Sequence, residues 1–195
     1  MNLSRGFTII ELIITIFILS IAIVGIYSAF SMMVILTANA SDRLTAAYLA
    51  QEGIEIVRNI RDTNWINSSY TETVWIQGLE ACTSDIGGCQ ADYRTMGTDS
   101  SPLSPYGDGN STSNYLKIDD ANGFYSYDLG KKTKFRRQIL ISFVSDIDYI
   151  AKVTVNVFWD EKPNVLNPTG EAGSITAEEY FYNWYNYIPL DANLP

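Results

Sequence analysis

The chain has 195 residues, 47% of them apolar and 18% charged, and a net charge of −9. So acidic a chain repels phosphate backbones, so no nucleic-acid partner is expected. It contains no histidine. That removes the commonest general base and metal ligand and excludes Ser–His–Asp and Cys–His nucleophile systems.

Residues 1–6 are polar and carry Arg5. From Phe7 to Ser41 the only charged side chain is Glu11, and Leu12–Leu36 has none. A bilayer core about 30 Å thick needs roughly 20 apolar residues at about 1.5 Å rise each, so this run is long enough to span one. Ile9, Ile10, Leu12, Ile13, Ile14, Ile16, Phe17, Ile18 and Leu19 cover every face of a helix. A helix apolar all round lies in lipid or is enclosed by protein. Three readings compete. A secretory signal peptide has a shorter apolar run ending in a small-residue cleavage site. An uncleaved signal anchor fits the length. The third is a segment cleaved before the apolar run, with the helix retained.

The residues that decide are Gly6-Phe7-Thr8-Ile9-Ile10-Glu11-Leu12. Locally, Thr8 and Glu11 make a capping box, with Thr8 as N-cap. The pattern Gly-Phe-Thr-x-x-Glu ahead of an Ile-rich helix resembles the class III signal of type IV prepilins and pseudopilins over residues 1–36. The resemblance implies that Gly6 is the last leader residue read by the membrane prepilin peptidase. It implies that Phe7 becomes the N-methylated N-terminus, and that Glu11 pairs with the Phe7 ammonium of a neighbouring subunit. A lone carboxylate and a lone ammonium are each costly in an apolar filament core, whereas the pair is tolerable and fixes axial register. Loss of the leader removes Arg5 and no acidic side chain, so side-chain charge moves from −9 to −10. The sequence departs from many pilins in having no proline between residues 1 and 101. Arg5 places residues 1–6 in the cytoplasm by the positive-inside bias and the residues from about 42 onward outside.

From Ser41 the pattern becomes amphipathic. Leu44, Ala47, Tyr48, Ile54, Val57 and Ile60 recur at helical spacing, with Asp42, Arg43, Glu52, Glu55, Arg58, Arg61 and Asp62 on the other face. Glu55–Arg58 and Arg58–Asp62 stand at ion-pairing separations. One helix is predicted from about Phe7 to about Thr63, roughly 85 Å long. Gly53 is expected where this helix packs closely on a sheet. The stretch Ala47–Glu55 with Arg58–Asp62 also resembles V-type and I-type minor pilin-like proteins.

Residues 63–123 are rich in turn formers, with short strands predicted at Thr73–Gln77 and Tyr115–Ile118. Strands follow at Phe135–Val144, Ile150–Trp159 and Ala177–Tyr187, with a turn at Asp146–Tyr149 and a long turn region at Pro163–Gly173. Val153, Val155 and Val157 share one strand face. One long helix followed by strands gives an α+β class, an antiparallel sheet on the helix. The pilin resemblance implies the same arrangement, and the hairpin Val153–Trp159 to Tyr180–Trp184 resembles the last hairpin of V-type and I-type minor pilins.

Cys82 and Cys89 have neither the partners for a metal site nor redox C-x-x-C spacing. A disulfide and two free thiols are left, and an outward-facing domain favours the disulfide. Asp99, Asp108, Asp119 and Asp120 are read as solvated loop carboxylates; calcium is the competing reading, without EF-hand spacing. Lys131, Lys132, Lys134, Arg136 and Arg137 read as a solvated turn and strand start, with DNA or anionic lipid as the competing reading. The aromatic run Tyr180–Tyr187 reads as sheet core and lip, or as a sugar- or surface-binding patch.

The expected organisation is a leader at 1–6, a transmembrane and filament-core helix at 7–36, its amphipathic continuation at 37–63 and a β-rich head at 64–195. No catalytic residue, metal or cofactor is expected. The resemblance implies a structural filament subunit, a minor pilin or pseudopilin, whose partners are other pilin subunits, prepilin peptidase, the inner-membrane assembly platform and the bilayer. The alternative is a single-pass anchored binding or adhesion protein that does not polymerise.

Overall fold

The structure, a computed structural model, describes residues 6, 8–67, 74–95, 103–107, 114–144 and 147–183. The chain divides into two compact units, Met1–Asp42 and Arg43–Pro195. The first helix, α1, runs Ile9–Asn67, four residues beyond the expected end.

In the first unit α1 is exposed at every residue from Ile9 to Phe30, and Ser31, Ile35, Asn39 and Asp42 are half-buried. Its hydroxyls are satisfied internally: Thr15, Ser20, Ser31 and Thr37 donate to the carbonyls of Leu12, Phe17, Tyr27 and Met33 at 2.7–3.0 Å. That pairing is what an apolar solvent demands of polar side chains.

The second unit opens with the rest of α1. Three 3₁₀ turns follow, Val74–Ile76, Glu80–Cys82 and Ser84–Ile86, and then β1 (Cys89–Gln90), β2 (Ser104–Pro105), β3 (Tyr115–Ile118) and β4 (Tyr125–Ser126). The long strands are β5 (Lys131–Val144), β6 (Ile147–Trp159) and β7 (Gly173–Tyr182). All seven pair antiparallel. β5, β6 and β7 form a meander, with Ile139 opposite Val155 and Lys152 opposite Tyr180. The other edge of β5 takes β3 and β4 at its start, then β1 and β2 at Ile139. The fold class is therefore α+β, one long helix with an antiparallel sheet, consistent with the pilin fold.

The core lies between α1 and the inner face of β5 and β6. Ala46, Leu49, Ala50, Ile54, Val57 and Ile60 meet Phe135, Ile139, Ile141, Val153, Val155, Val157 and Trp159 in one buried cluster. Gly53 is the closest approach. A Cβ there would stand 2.8 Å from Val155 Cγ1 and 3.2 Å from Arg137 Cδ, so only glycine lets backbone and sheet come this near.

Several expectations are corrected. Leu44 and Tyr48 are exposed, and the buried stripe instead passes through Ala46, Leu49 and Ala50. Arg61, assigned to the polar face, is buried between the rings of Phe181 and Trp65, at 4.6 and 4.9 Å from their centroids. Over Thr73–Gln77 the chain forms a 3₁₀ turn at Val74–Ile76, where Trp75 buries its ring and Asn64 Nδ2 donates to the Trp75 and Gln77 carbonyls. Residues Ile147–Tyr149, expected in a turn, begin β6. The predicted strand at Ala177–Tyr187 begins earlier, at Gly173, and residues beyond 183 lie outside the described ones.

Candidate processing and assembly site

Gly6 is exposed, and a Cβ on it would meet nothing within 4 Å. Phe7 lies outside the described residues. Thr8 caps the helix: its Oγ1 accepts the Glu11 amide at 3.3 Å, and its carbonyl accepts the Leu12 amide at 3.2 Å. This is the N-cap half of the expected capping box. Glu11 occupies the first turn, where the positive end of the helix dipole favours a carboxylate. Its side chain is exposed and is followed by the uncharged run Leu12–Leu36. α1 is the one helix, among the described residues, long and apolar enough by length and composition to cross a membrane.

In the head, Cys82 and Cys89 are fully buried and joined by a disulfide. It ties the second 3₁₀ turn to β1, across a loop that turns at Gly88 (φ +83°) against the Ile139 carbonyl. Asp119 Oδ1 accepts the Ala121 amide at 2.9 Å and shapes its own turn; Asp99 and Asp108 lie outside the described residues. Among the described residues no three of Cys, Asp and Glu are grouped to hold a metal ion. Tyr180 and Tyr182 are exposed and Phe181 is buried; the rest of the aromatic run lies outside the described residues.

The basic cluster divides. Lys131, Lys132 and Lys134 are exposed at the start of β5, as expected of a solvated turn and strand start, but Arg137 is completely buried, which corrects its assignment to the solvated residues. Its Nη1 donates to Leu49 O at 2.9 Å and Glu52 Oε2 at 3.0 Å, and its Nη2 to Ala91 O at 2.5 Å. The signal was present in the alternation Phe135, Arg137, Ile139, Ile141, which puts Arg137 on the inner face. Beside it the Tyr127 hydroxyl donates to the Arg137 carbonyl at 3.1 Å, and burial pushes its pKa up to about 12. Asp92, also buried, accepts the amides of Arg94 and Tyr127 at 2.9 and 3.1 Å. These groups fasten helix, loop and sheet together. Arg58 adds a bond at the seam, with Nη2 2.5 and 2.7 Å from the Glu179 carboxylate oxygens, and it also pairs with Glu55.

The model of the prokaryotic N-terminal methylation motif matches residues 1–27. No curated protein and no solved structure matches the chain. The matched span contains Gly6, Phe7, Thr8 and Glu11 and the first turns of the apolar helix. With that motif at the start of a membrane-length helix, residues 1–27 match the N-terminal segment of type IV pilin-like, prepilin-processed proteins, and the antiparallel sheet that follows in an α+β arrangement is consistent with the pilin fold.

Proposed function

We propose that the protein is a structural subunit, a minor pilin or pseudopilin, of a type IV pilus-like or type II secretion-like filament. In this reading residues 1–6 are a leader removed by prepilin peptidase, and Phe7 becomes the methylated N-terminus. Residues 7–36 form the membrane and filament-core helix, 37–63 its amphipathic continuation and 64–195 the head. The chain starts as a single-pass protein of the bacterial inner membrane, with the head outside the cytoplasm. An assembly platform then moves it into the filament.

The methylation motif over residues 1–27, set directly on a helix exposed at every residue from Ile9 to Phe30, carries this reading. An all-round apolar helix needs lipid first and other helices afterwards. Glu11 supplies the register: leaving the bilayer for a helix bundle, its carboxylate is stabilised only by an opposite charge, and the amine freed at Phe7 is the one that processing creates. The function needs no catalytic group of its own.

Glu11→Ala tests the assembly role. Membrane insertion is expected to stay normal while the amount recovered in pelleted filaments drops about tenfold or more. Equal recovery would remove Glu11 from the mechanism.

A further inference from the structure

The contacts between α1 and the sheet fix the end of the head at which the chain enters it. Leu49 O takes Arg137 Nη1, Gly53 sits on Val155, and Arg58 takes Glu179, the cross-strand partner of Val153. β5 therefore advances with α1, and β6 runs against it. Trp159 lies four residues beyond Val155, about 13 Å further toward the Arg43 end at about 3.3 Å per residue. The loop between β6 and β7, the turn between β3 and β4 and the start of β5 gather at this same end. Arg43 follows Leu36, the last residue of the uncharged run, by about 10 Å of helix.

Apolar surface is exposed at this end. The β6–β7 loop is built on two asparagines. Asn167 Oδ1 accepts the Glu171 amide at 3.1 Å, and its Nδ2 donates to Glu161 Oε2 and Glu171 O at 2.9 Å. Asn164 Oδ1 accepts the amides of Leu166 and Asn167 at 2.8 and 2.9 Å. This frame presents Val165, 80% exposed, beside Leu166. A fixed loop loses little entropy on docking, so its apolar tip suits a binding contact. Phe124 and Leu129, from the two turns that flank β4, are each 55% exposed. The carboxylates here have local work: Asp160 takes Tyr115 and Arg136, Glu161 takes Trp159 and Asn167, Asp128 takes Arg94, and Asp119 shapes its turn. Exposed Asp120 and Glu171 are then set against exposed Lys131, Lys132 and Lys162. In an acidic chain, this is an end that an anionic surface does not repel.

We propose, resting on the membrane-anchored reading above, that this end of the head docks on the lipid surface. While α1 spans the bilayer, Val165 and Leu166 enter the polar layer of the leaflet on the head's side, with Phe124 and Leu129 beside them and Lys131 and Lys132 on the phosphate headgroups. Continuity with the spanning helix names the occupant. The polar layer of a leaflet is about 5–7 Å thick, and the short link from Leu36 tethers this end beside it. A tethered surface is met at high effective concentration, so a few apolar side chains and lysines suffice. The contact holds the head on the bilayer until extraction of α1 breaks it.

The test uses the full chain in vesicles of phosphatidylcholine with about a third phosphatidylglycerol, at a single chain per vesicle. A fluorophore is placed in turn on Ile18→Cys in the apolar run, on Val165→Cys at the loop tip and on Ile66→Cys, exposed near the far end of α1. Cys82 and Cys89, buried and disulfide-bonded, stay unlabelled. Nitroxide-bearing lipids quench a fluorophore that touches the bilayer. Ile18 and Val165 are expected to be quenched, and Ile66 about fivefold less or weaker still. Lys131→Glu with Lys132→Glu is expected to lower quenching at Val165 about tenfold. Quenching at Ile18 with Val165 no more quenched than Ile66 would overturn the docking and leave the anchor standing. No quenching at Ile18 would overturn the anchor and the docking with it. Shielding of Val165 that grows with the number of chains per vesicle, without lipid quenching, would give the tip to a second copy and overturn the docking.

Discussion

The guanidinium of Arg137, on the inner face of β5, donates to the carbonyl of Leu49 in α1 at 2.9 Å, across a sequence separation of 88. The same group holds Glu52 and Ala91 O, so one side chain joins helix, sheet and the segment after β1. Removing one partner of a buried ionic group costs about 3–5 kcal/mol, because the groups left behind stay desolvated. Glu52 is about a third exposed and keeps some water, which places Arg137→Met near the lower end, about 3 kcal/mol. Thermal unfolding of the detergent-solubilised full chain measures it. An unchanged midpoint would show that the bonds hold nothing the apolar cluster does not.

Gly53→Ala sets two effects against each other. Alanine gains about 1 kcal/mol in helix propensity. Its Cβ would stand 2.8 Å from Val155 Cγ1, a β-branched atom fixed in a central strand, and such overpacking costs about 1–3 kcal/mol. The clash is expected to win by about 1 kcal/mol, and Gly53→Val by more. A Gly53→Ala chain more stable than wild type by the same unfolding measurement would contradict the close approach.

Tyr127 gives the head an alkaline limit. Its folded pKa is raised to about 12 by burial, against about 10 in an unfolded chain. The stabilisation is complete below pH 10 and is lost as the pH rises through 12, since the unfolded state then releases a proton that the folded state retains. Tyr115, bonded to Asp160, and Tyr125, partly desolvated, shift the same way and add to the slope. Tyr127→Phe is expected to flatten the fall in stability between pH 10 and 12 and to lower stability by about 1 kcal/mol at neutral pH through the lost hydroxyl bond. Denaturant midpoints across that range decide it; an unchanged slope would mean that the hydroxyl is solvated.

Sequence reading succeeded where one physical signal dominated. Leu12–Leu36 has no polar face and no breaker, so its place in one long helix followed from composition. Val153, Val155 and Val157 alternate so cleanly that the buried face of β6 could be assigned, and Gly53 in an amphipathic helix pointed to the sheet contact that Val155 makes. The failures came from tertiary context. Trp75 sits in a run of β-formers, but it lies in a 3₁₀ turn, where its ring is buried and its carbonyl accepts Asn64 Nδ2. Leu44 and Tyr48 looked like core by periodicity, yet the sheet covers Ala46, Leu49 and Ala50 instead. Arg61 and Arg137 were assigned to water by their charge, although aromatic rings and backbone carbonyls can line a site for a guanidinium. At the N-terminus, the Thr8 cap was legible because a hydroxyl three residues ahead of Glu11 at the start of an apolar run is a helix-start pattern.

Processing before Phe7 is the claim on which the filament mechanism depends, because it creates the amine that Glu11 is proposed to meet. Mass spectrometry of the intact chain and of its N-terminal peptide, taken from wild-type cells, reads it directly. The account predicts a chain lacking residues 1–6, with a single methyl group on the Phe7 nitrogen. A chain that still begins at Met1 would contradict it.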